Sequence, residues 1–208
     1  VKLTRKDNGL VEMSDVRPLQ FPNDFEVGNF PNDGIEGLTM AEDGTLYLAL
    51  EKDKAGQPRI FTLAVDEDFF SSNDFATVSE PNLQLPSFTS GNHPINGLAL
   101  YTHSTGASYL FGAARNDNEL WVIDVSGSKP TKRIPITFDV AGDQSCEQYT
   151  MDNSSMEGLV TIENTLWIIN DPWEKNYLKN ATCEAHKKRY EDLAPLLFPL
   201  EINSVWFE

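Results

Sequence analysis

Six polar residues recur at equivalent places in three parts of the chain, and the side-chain oxygens that most of them carry suit cation binding. The first of each pair precedes a Gly-Leu step, at separations of 60 and 61 residues: Glu36, Asn96 and Glu157. The second ends the apolar run that comes next: Glu51, Arg115 and Asp171. Ca²⁺ accepts about six to eight carboxylate, amide, carbonyl and water oxygens in flexible geometry. We therefore predict a Ca²⁺ site formed by the four acids Glu36, Glu51, Glu157 and Asp171. We expect Asn96 and Arg115 to lie beside this site.

Each of these residues stands next to a short apolar run that predicts a β-strand. The second runs cover residues 45–51, 108–115 and 165–171, and the third runs cover 59–65, 119–125 and 195–200. The runs are rich in aliphatic and aromatic residues and are bounded by turn residues, whereas residues 183–193 have a helix-forming composition. The start of one antiparallel strand and the end of the next share a sheet edge. We therefore expect the six polar groups to gather at one edge.

The repeat predicts an all-β fold, namely a β-propeller of four-stranded antiparallel blades. One blade each is expected over residues 34–92, 93–153 and 154–208, and residues 1–33, with a hairpin turn at Asn8-Gly9, would end a preceding blade. About three and a half blades are then visible, whereas a closed ring needs at least about four. We expect a C-terminal portion of a larger, six-bladed ring, with the missing blades supplied by the same or another chain. The first strand of each blade would line the central channel.

The polar groups at the predicted channel mouth have a structural interpretation as well as a functional one. The carboxylates could instead accept hydrogen bonds from backbone amides, with each glycine placed where the backbone is crowded. Asn170, Trp173 and Tyr177 follow the last strand of this edge and could wall a substrate pocket, or the aromatic rings could close an apolar rim. His93 precedes the second motif and is either a channel residue or a structural one.

Composition excludes several classes of function. The chain of 208 residues carries 32 acidic and 16 basic residues, a net charge of −16, which argues against nucleic-acid binding. No apolar run approaches the roughly 20 residues of a membrane span. The sequence lacks a G-x-S-x-G nucleophile motif and a C-x-x-C pair, which argues against serine catalysis and a zinc site. Cys146 and Cys183 form one disulfide if the protein is exported, or are separate buried thiols if it is cytosolic.

A family resemblance is carried by Gly34-Ile35-Glu36-Gly37-Leu38 and by the order of residues after position 146. The later residues are Cys146, Ser155-Met156-Glu157-Gly158-Leu159, Leu166-Trp167, Asn170-Asp171-Pro172-Trp173, Asn176-Tyr177, Asn180, Cys183, Tyr190 and Ala194-Pro195-Leu196-Leu197-Phe198. In these features the chain resembles the phytase-like family described by the phrase "esterase-like activity of phytase". The resemblance implies a secreted or periplasmic β-propeller, distantly similar to calcium-dependent phytases, with channel-facing acids and a Cys146–Cys183 disulfide. Asn96 departs from an acidic pattern and weakens a site of three carboxylates.

Two hypotheses of function follow. In the first, the protein is a calcium-dependent hydrolase of phosphoesters or other small-molecule esters, and Ca²⁺ held by the four acids polarises a bound water. In the second, it is a non-catalytic propeller that binds or assembles with a protein partner, and the acids form a structural network. The scarcity of histidine and the presence of Asn96 favour the second. Asn153 and Asn180 also match the N-glycosylation acceptor pattern, at a frequency close to chance.

Overall fold

The chain is built from antiparallel β-sheets, which confirms the all-β prediction. The computed structural model describes residues 1–22, 27, 34–171, 174–190 and 195–208. Within these ranges no helix is long and apolar enough to cross a membrane. Three larger sheets follow one another along the chain, and each begins near one of the three Gly-Leu motifs.

An isolated hairpin opens the chain. Strands β1 (Lys2–Arg5) and β2 (Val11–Ser14) pair antiparallel on either side of the predicted turn, where Gly9 has a φ of +82°. The predicted Asn8-Gly9 hairpin is therefore confirmed. Its apolar side chains, such as Leu3 and Met13, are exposed, and no third strand joins it among the described residues.

The first large sheet has the order β4-β5-β6. Its strands are β4 (Ile35–Met40), β5 (Thr45–Leu50) and β6 (Arg59–Ala64), and a single bridge between Thr62 and Ser79 extends the outer edge. Beside it, β3 (Leu19–Gln20) pairs in parallel with β7 (Ala76–Thr77). This sheet therefore has three full strands where the sequence predicts four.

The second large sheet has the predicted four strands in the order β11-β10-β9-β8. They are β8 (Leu98–Thr102), β9 (Ser108–Ala114), β10 (Glu119–Asp124) and β11 (Lys132–Pro135). After it, β12 (Asp139–Val140) and β13 (Tyr149–Thr150) form a small antiparallel pair.

The third large sheet is interrupted by two helices. Strands β14 (Met156–Ile162) and β15 (Thr165–Asn170) pair first, and β16 (Leu197–Glu201) joins β15 after the insertion. The inserted helices are α1 (Glu174–Leu178) and α2 (Glu184–Tyr190), and the second lies within the predicted helical segment. Cys146 and Cys183 form a disulfide, as the family resemblance implies, and it ties the loop between β12 and β13 to the start of α2.

The sheets stack because each middle strand alternates large apolar residues between its two faces. In the second sheet, Leu110 and Trp121 pack with Tyr47 and other residues of the first sheet. Phe111 on the opposite face packs with Leu166 and other residues of the third sheet. Trp121, Leu110, Phe111 and Leu166 are fully buried, so the core lies between the sheets.

The first strands of the three sheets lie side by side. Residues that contact each other across them are 61 positions apart in the chain, which is nearly the repeat length of the sequence. The amide of Leu100 in β8 donates to Oγ1 of Thr39 in β4 at 3.1 Å. The hydroxyl of Thr161 in β14 donates to the carbonyl of Leu100 at 2.7 Å. These contacts set the order β4, β8, β14 and place the three motif ends next to one another.

Glycine is required where these strands approach most closely. A Cβ on Gly37 would lie 3.0 Å from the backbone nitrogen of Leu98, and a Cβ on Gly97 would collide with the carbonyl oxygen of Glu157. Gly158 occupies the same place in β14, but there a Cβ would meet only the side chain of Ile169 in its own sheet. Among the described residues, no further strand passes Gly158.

The outer faces of the first and third sheets are apolar and exposed. Leu38 and Met40 in β4 are 60% and 58% exposed. On the third sheet the exposed side chains are Val160, Ile162, Ile169 and Leu197. The described sheets therefore form an open stack, and the predicted ring and its number of blades stay predictions.

Candidate functional site

Arg115 lies between two of the predicted acidic ligands. Its Nη1 donates to Oε1 of Glu157, and its Nη2 is 3.9 Å from Oε1 of Glu51. Lys52 Nζ is 3.4 Å from the same oxygen of Glu51. We refer to Glu36, Glu51, Arg115, Glu157 and Asp171 as the Arg115 cluster.

Local backbone features position the members of this cluster. Arg115 begins a short 3₁₀ turn that follows β9, and its carbonyl accepts a hydrogen bond from Nδ2 of Asn153 at 2.7 Å. Glu36 and Glu157 each fall at a bulge, where the pairing register shifts at the start of β4 and of β14. A bulge turns the side chain of the extra residue away from the regular alternation. Both acids are therefore set at the motif end by the same backbone device.

The electrostatics of the cluster are dominated by negative charge. Partial burial raises the pKa of Glu157, and the charges of Glu36 and Asp171 raise it further. The guanidinium of Arg115 acts in the opposite direction but does not cancel these effects. Four carboxylates meet two neighbouring cations in the ion pairs given for this cluster, Arg115 and Lys52.

Asn96 occupies the position in the second motif that glutamate takes in the other two. It is 2% exposed, and its backbone N–H donates to the carbonyl of Ala113 at 2.9 Å. Its side-chain Oδ1 is buried and has no hydrogen-bond partner in the described ranges. Because a buried amide oxygen without a donor is costly, this atom is available to a ligand or an ordered water.

His93 is held by groups other than the Arg115 cluster. Its ring stacks on Phe88 at a centroid distance of 3.5 Å. Nδ1 lies 3.0 Å from Oδ1 of Asp117, and Nε2 lies 2.9 Å from the carbonyl of Ser90. Both ring nitrogens are therefore engaged, and His93 joins the 3₁₀ turn after β9 to the loop before β8.

The residues predicted to form the wall of a pocket at the end of β15 lie in different parts of the structure. Asn170 is buried, and its Nδ2 donates to the carbonyl of Ser154 at 2.9 Å while its Oδ1 accepts the N–H of Leu196 at 2.6 Å. Tyr177 in α1 is fully buried in the core between the second and third sheets. Asp171, a member of the Arg115 cluster, is exposed. Trp173 lies outside the described residues.

The cluster has suitable donors for Ca²⁺ but not a suitable spacing. Where side chains are described, the single set of three His, Cys, Asp or Glu ligand atoms within 4.8 Å of one another is Cys146, Cys183 and His186. The carboxylates of the Arg115 cluster therefore do not converge, and a guanidinium lies between Glu51 and Glu157. These acids would have to move before they could share a cation.

A buried carboxylate that the sequence reasoning missed lies near the cluster, at Asp53. Its Oδ1 accepts the N–H groups of Ala55 and Gln57 at 2.8 Å, and its Oδ2 accepts Nε of Arg59 at 2.9 Å. The sequence signal for it was an acid two positions before the turn residues 55–58. Asp53 fixes the turn that joins β5 to β6.

A pocket of about 560 Å³ lies at the opposite end of the strands, between the second and third sheets. Tyr101, His103, Asn164, Glu201 and Phe207 are among its lining residues. The hydroxyl of Tyr101 donates to Oδ1 of Asn164 at 3.3 Å across it. No motif in the sequence indicated this pocket, because its residues come from two turns and the last segment of the chain.

Comparison with known proteins gives no family assignment. No family model and no curated protein matches the sequence. Among solved structures, the chain is similar to a catalytically inactive variant of virginiamycin B lyase from Staphylococcus aureus with quinupristin, at 11% identity and a TM-score of 0.36. The match covers 85% of this chain and 58% of that one. A likeness this weak assigns no activity to the chain.

Proposed function

We propose that this chain is part of an exported, six-bladed β-propeller of the phytase-like type that serves as a non-catalytic binding or assembly module. The observation that carries the proposal is the position of Arg115 between Glu51 and Glu157. The guanidinium of Arg115 is always charged. It supplies part of the positive charge that the prediction from the sequence attributes to Ca²⁺. The carboxylates then stabilise the junction between sheets.

The other predicted site residues support the same interpretation. Both nitrogens of His93 and the whole side-chain amide of Asn170 are used in internal contacts. A general base must have an atom free to reach a substrate proton. Neither residue offers one, so they support a structural network rather than an acid–base pair.

Assembly is supported by the apolar outer faces and by Gly158. Gly37 and Gly97 are needed because the next first strand passes directly beside them, whereas no described strand passes Gly158 in this way. A further blade packed on the third sheet would supply it and would cover Val160, Ile162 and Ile169. Export is supported by the disulfide, which persists in oxidising compartments.

Calcium dependence of thermal stability tests this proposal. We expect the melting temperature of the wild-type chain to be equal in calcium and in EDTA, because a guanidinium already lies between the acids. Arg115→Met should gain a calcium-dependent increase, since the acids then lack their internal cation. Lys188→Met, which removes one exposed positive charge from α2, is the matched control. A calcium-dependent wild type, with the effect abolished by Glu157→Gln, would contradict the proposal.

The second candidate is a calcium-dependent hydrolase of phosphoesters or other esters. It is favoured by the charges of Glu36 and Asp171 that act on Glu157 and by the buried Oδ1 of Asn96. Assays with p-nitrophenyl phosphate and p-nitrophenyl acetate, with and without calcium, test it. Turnover by the wild type that needs calcium and is lost in Glu157→Gln supports this candidate. Hydrolysis at the same background rate by the wild type and by Glu157→Gln rejects it.

A further inference from the structure

His186 in α2 is a buried polar side chain that the described part of the chain does not satisfy. It is 1% exposed, and neither Nδ1 nor Nε2 has a hydrogen-bond partner among the described residues. Its ring packs on Tyr149 at a centroid distance of 5.3 Å. A buried imidazole without partners loses its hydration without replacement, so a ligand absent from the folded chain is the natural explanation.

The disulfide provides the other atoms of a possible ligand set. The two sulfur atoms of Cys146 and Cys183 and a ring nitrogen of His186 lie within 4.8 Å of one another. Cys183 and His186 are three positions apart at the start of α2, a spacing that puts both side chains on the same side of the first turn. Cys146 is 4% exposed and approaches from the loop between β12 and β13. The two cysteines are 37 residues apart in the sequence and therefore do not form a C-x-x-C pair. For this reason the sequence patterns did not indicate the site.

We propose that Cys146, Cys183 and His186 form a redox-gated Zn²⁺ site. Disulfide sulfur is a poor ligand, so the oxidised chain does not bind the ion there. An external dithiol or phosphine supplies two electrons, which with two protons convert the disulfide to two thiols, and the reductant is itself oxidised. Each thiol then releases its proton to solvent as its thiolate binds Zn²⁺, and neutral His186 gives the third ligand.

The chemistry of the set selects zinc among the common divalent ions. Two thiolates balance the charge of Zn²⁺, and thiolate with imidazole is a donor set that this ion prefers, with water completing a tetrahedron. The carboxylate of Asp143 accepts the N–H of Cys146 at 3.0 Å and so fixes the backbone of this loop at the first ligand. The loop between β12 and β13 would thus be linked to α2 in both redox states. The link is the disulfide bond in the oxidised chain and the bound Zn²⁺ in the reduced chain.

Zinc titration of the full chain in both redox states tests the proposal. The protein is reduced with a phosphine, and Zn²⁺ is added in competition with a chromophoric chelator. We expect one Zn²⁺ per reduced chain and none per oxidised chain. His186→Gln should weaken binding by about 100-fold or more, because loss of a direct ligand exceeds the effect of losing an outer partner. His103→Gln, at an exposed turn, should bind as the wild type does.

Three outcomes would overturn the proposal: no binding by the reduced chain, equal binding by the oxidised chain, or equal binding by His186→Gln. The double variant Cys146→Ser with Cys183→Ser shows by circular dichroism whether the chain folds without the cross-link. If it folds, the titration is decisive as described. If it does not fold, Zn²⁺ should restore the fold of the reduced wild type but not of reduced His186→Gln, and failure to do so rejects the site. Co²⁺ in place of Zn²⁺ should give a tetrahedral spectrum with thiolate charge transfer.

Discussion

The Nη1 of Arg115 donates a hydrogen bond to Oε1 of Glu157, and this contact joins the end of β9 to the start of β14 in the next sheet. The two side chains are 28% and 23% exposed, so the pair is partly withdrawn from water. An ion pair in this position contributes more than a fully solvated surface pair, and loss of one partner leaves the other poorly hydrated.

Arg115→Met should lower the free energy of unfolding by about 1–3 kcal/mol, because Glu157 and Glu51 would face each other without a guanidinium between them. Urea unfolding at neutral pH measures the change. Lys188→Met alters the net charge equally at an exposed site on α2 and should have a much smaller effect. Equal effects in the two variants would show that the contact with Glu157 contributes nothing specific.

Glu157 should make the chain less stable as the pH rises. Burial and the neighbouring acids raise its pKa above the ordinary value of 4.5, so the folded chain holds this proton at a pH where the unfolded chain has released it. The free energy of unfolding therefore falls through the window above 4.5. Glu157→Gln should remove this fall, which pH-dependent urea unfolding detects. An unchanged profile in the variant would contradict the prediction.

The pH dependence of stability that is due to Asp124 should have the opposite sign to that of Glu157. Burial alone would raise the pKa of this aspartate, but hydrogen bonds from Ser126, Ser128 and Lys129 outweigh burial and lower it from 3.8. Its contribution is therefore present above 3.8 and is lost as the pH falls through the lowered pKa. Asp124→Asn should be destabilised at neutral pH but should lose less stability on acidification than the wild type. Parallel acid profiles for the two proteins would disprove this.

Gly97→Ala should destabilise the chain more than Gly158→Ala. A Cβ on Gly97 would press on the backbone carbonyl of Glu157 and force β8 and β14 apart, at a cost of about 1–3 kcal/mol or more. A Cβ on Gly158 would meet only the Cγ2 methyl group of Ile169, a side chain that is 44% exposed and can shift toward solvent. Thermal and urea unfolding compare the two variants. The reverse order would mean that β14 has a backbone neighbour at Gly158.

Asp53→Ala should cost about 2–4 kcal/mol of unfolding free energy. The substitution leaves two backbone N–H groups and part of the Arg59 guanidinium without their acceptor. Asp66→Ala, at an exposed site after β6, serves as the control and should change stability by less than about 0.5 kcal/mol. Hydrogen exchange of Ala55 and Gln57 should accelerate in Asp53→Ala if the carboxylate fixes the turn.

The sequence predicted the strands better than the contacts between them. Short apolar runs with turn residues at both ends identify β5, β9 and β10 best, because the apolar residues of these strands are buried on both faces. The motif spacing correctly placed Glu51 and Glu157 close enough to share a partner. It did not show that Arg115 would be that partner, because the reach of a long side chain depends on how far apart two sheets stack. The inserted helix α1, which buries Tyr177, was missed because it is only one turn long.

The hydrogen bonds from Leu100 to Thr39 and from Thr161 to Leu100 have a consequence for how the chain unfolds. The second large sheet contacts both the first and the third, as neighbouring units of a repeat protein do, so stability is approximately a sum of unit and nearest-neighbour contributions. Loss of an end sheet would remove one interface, whereas loss of the middle sheet would remove two. Unfolding should therefore begin at the ends of the stack, and a lineage could gain or lose a terminal unit without redesigning the centre.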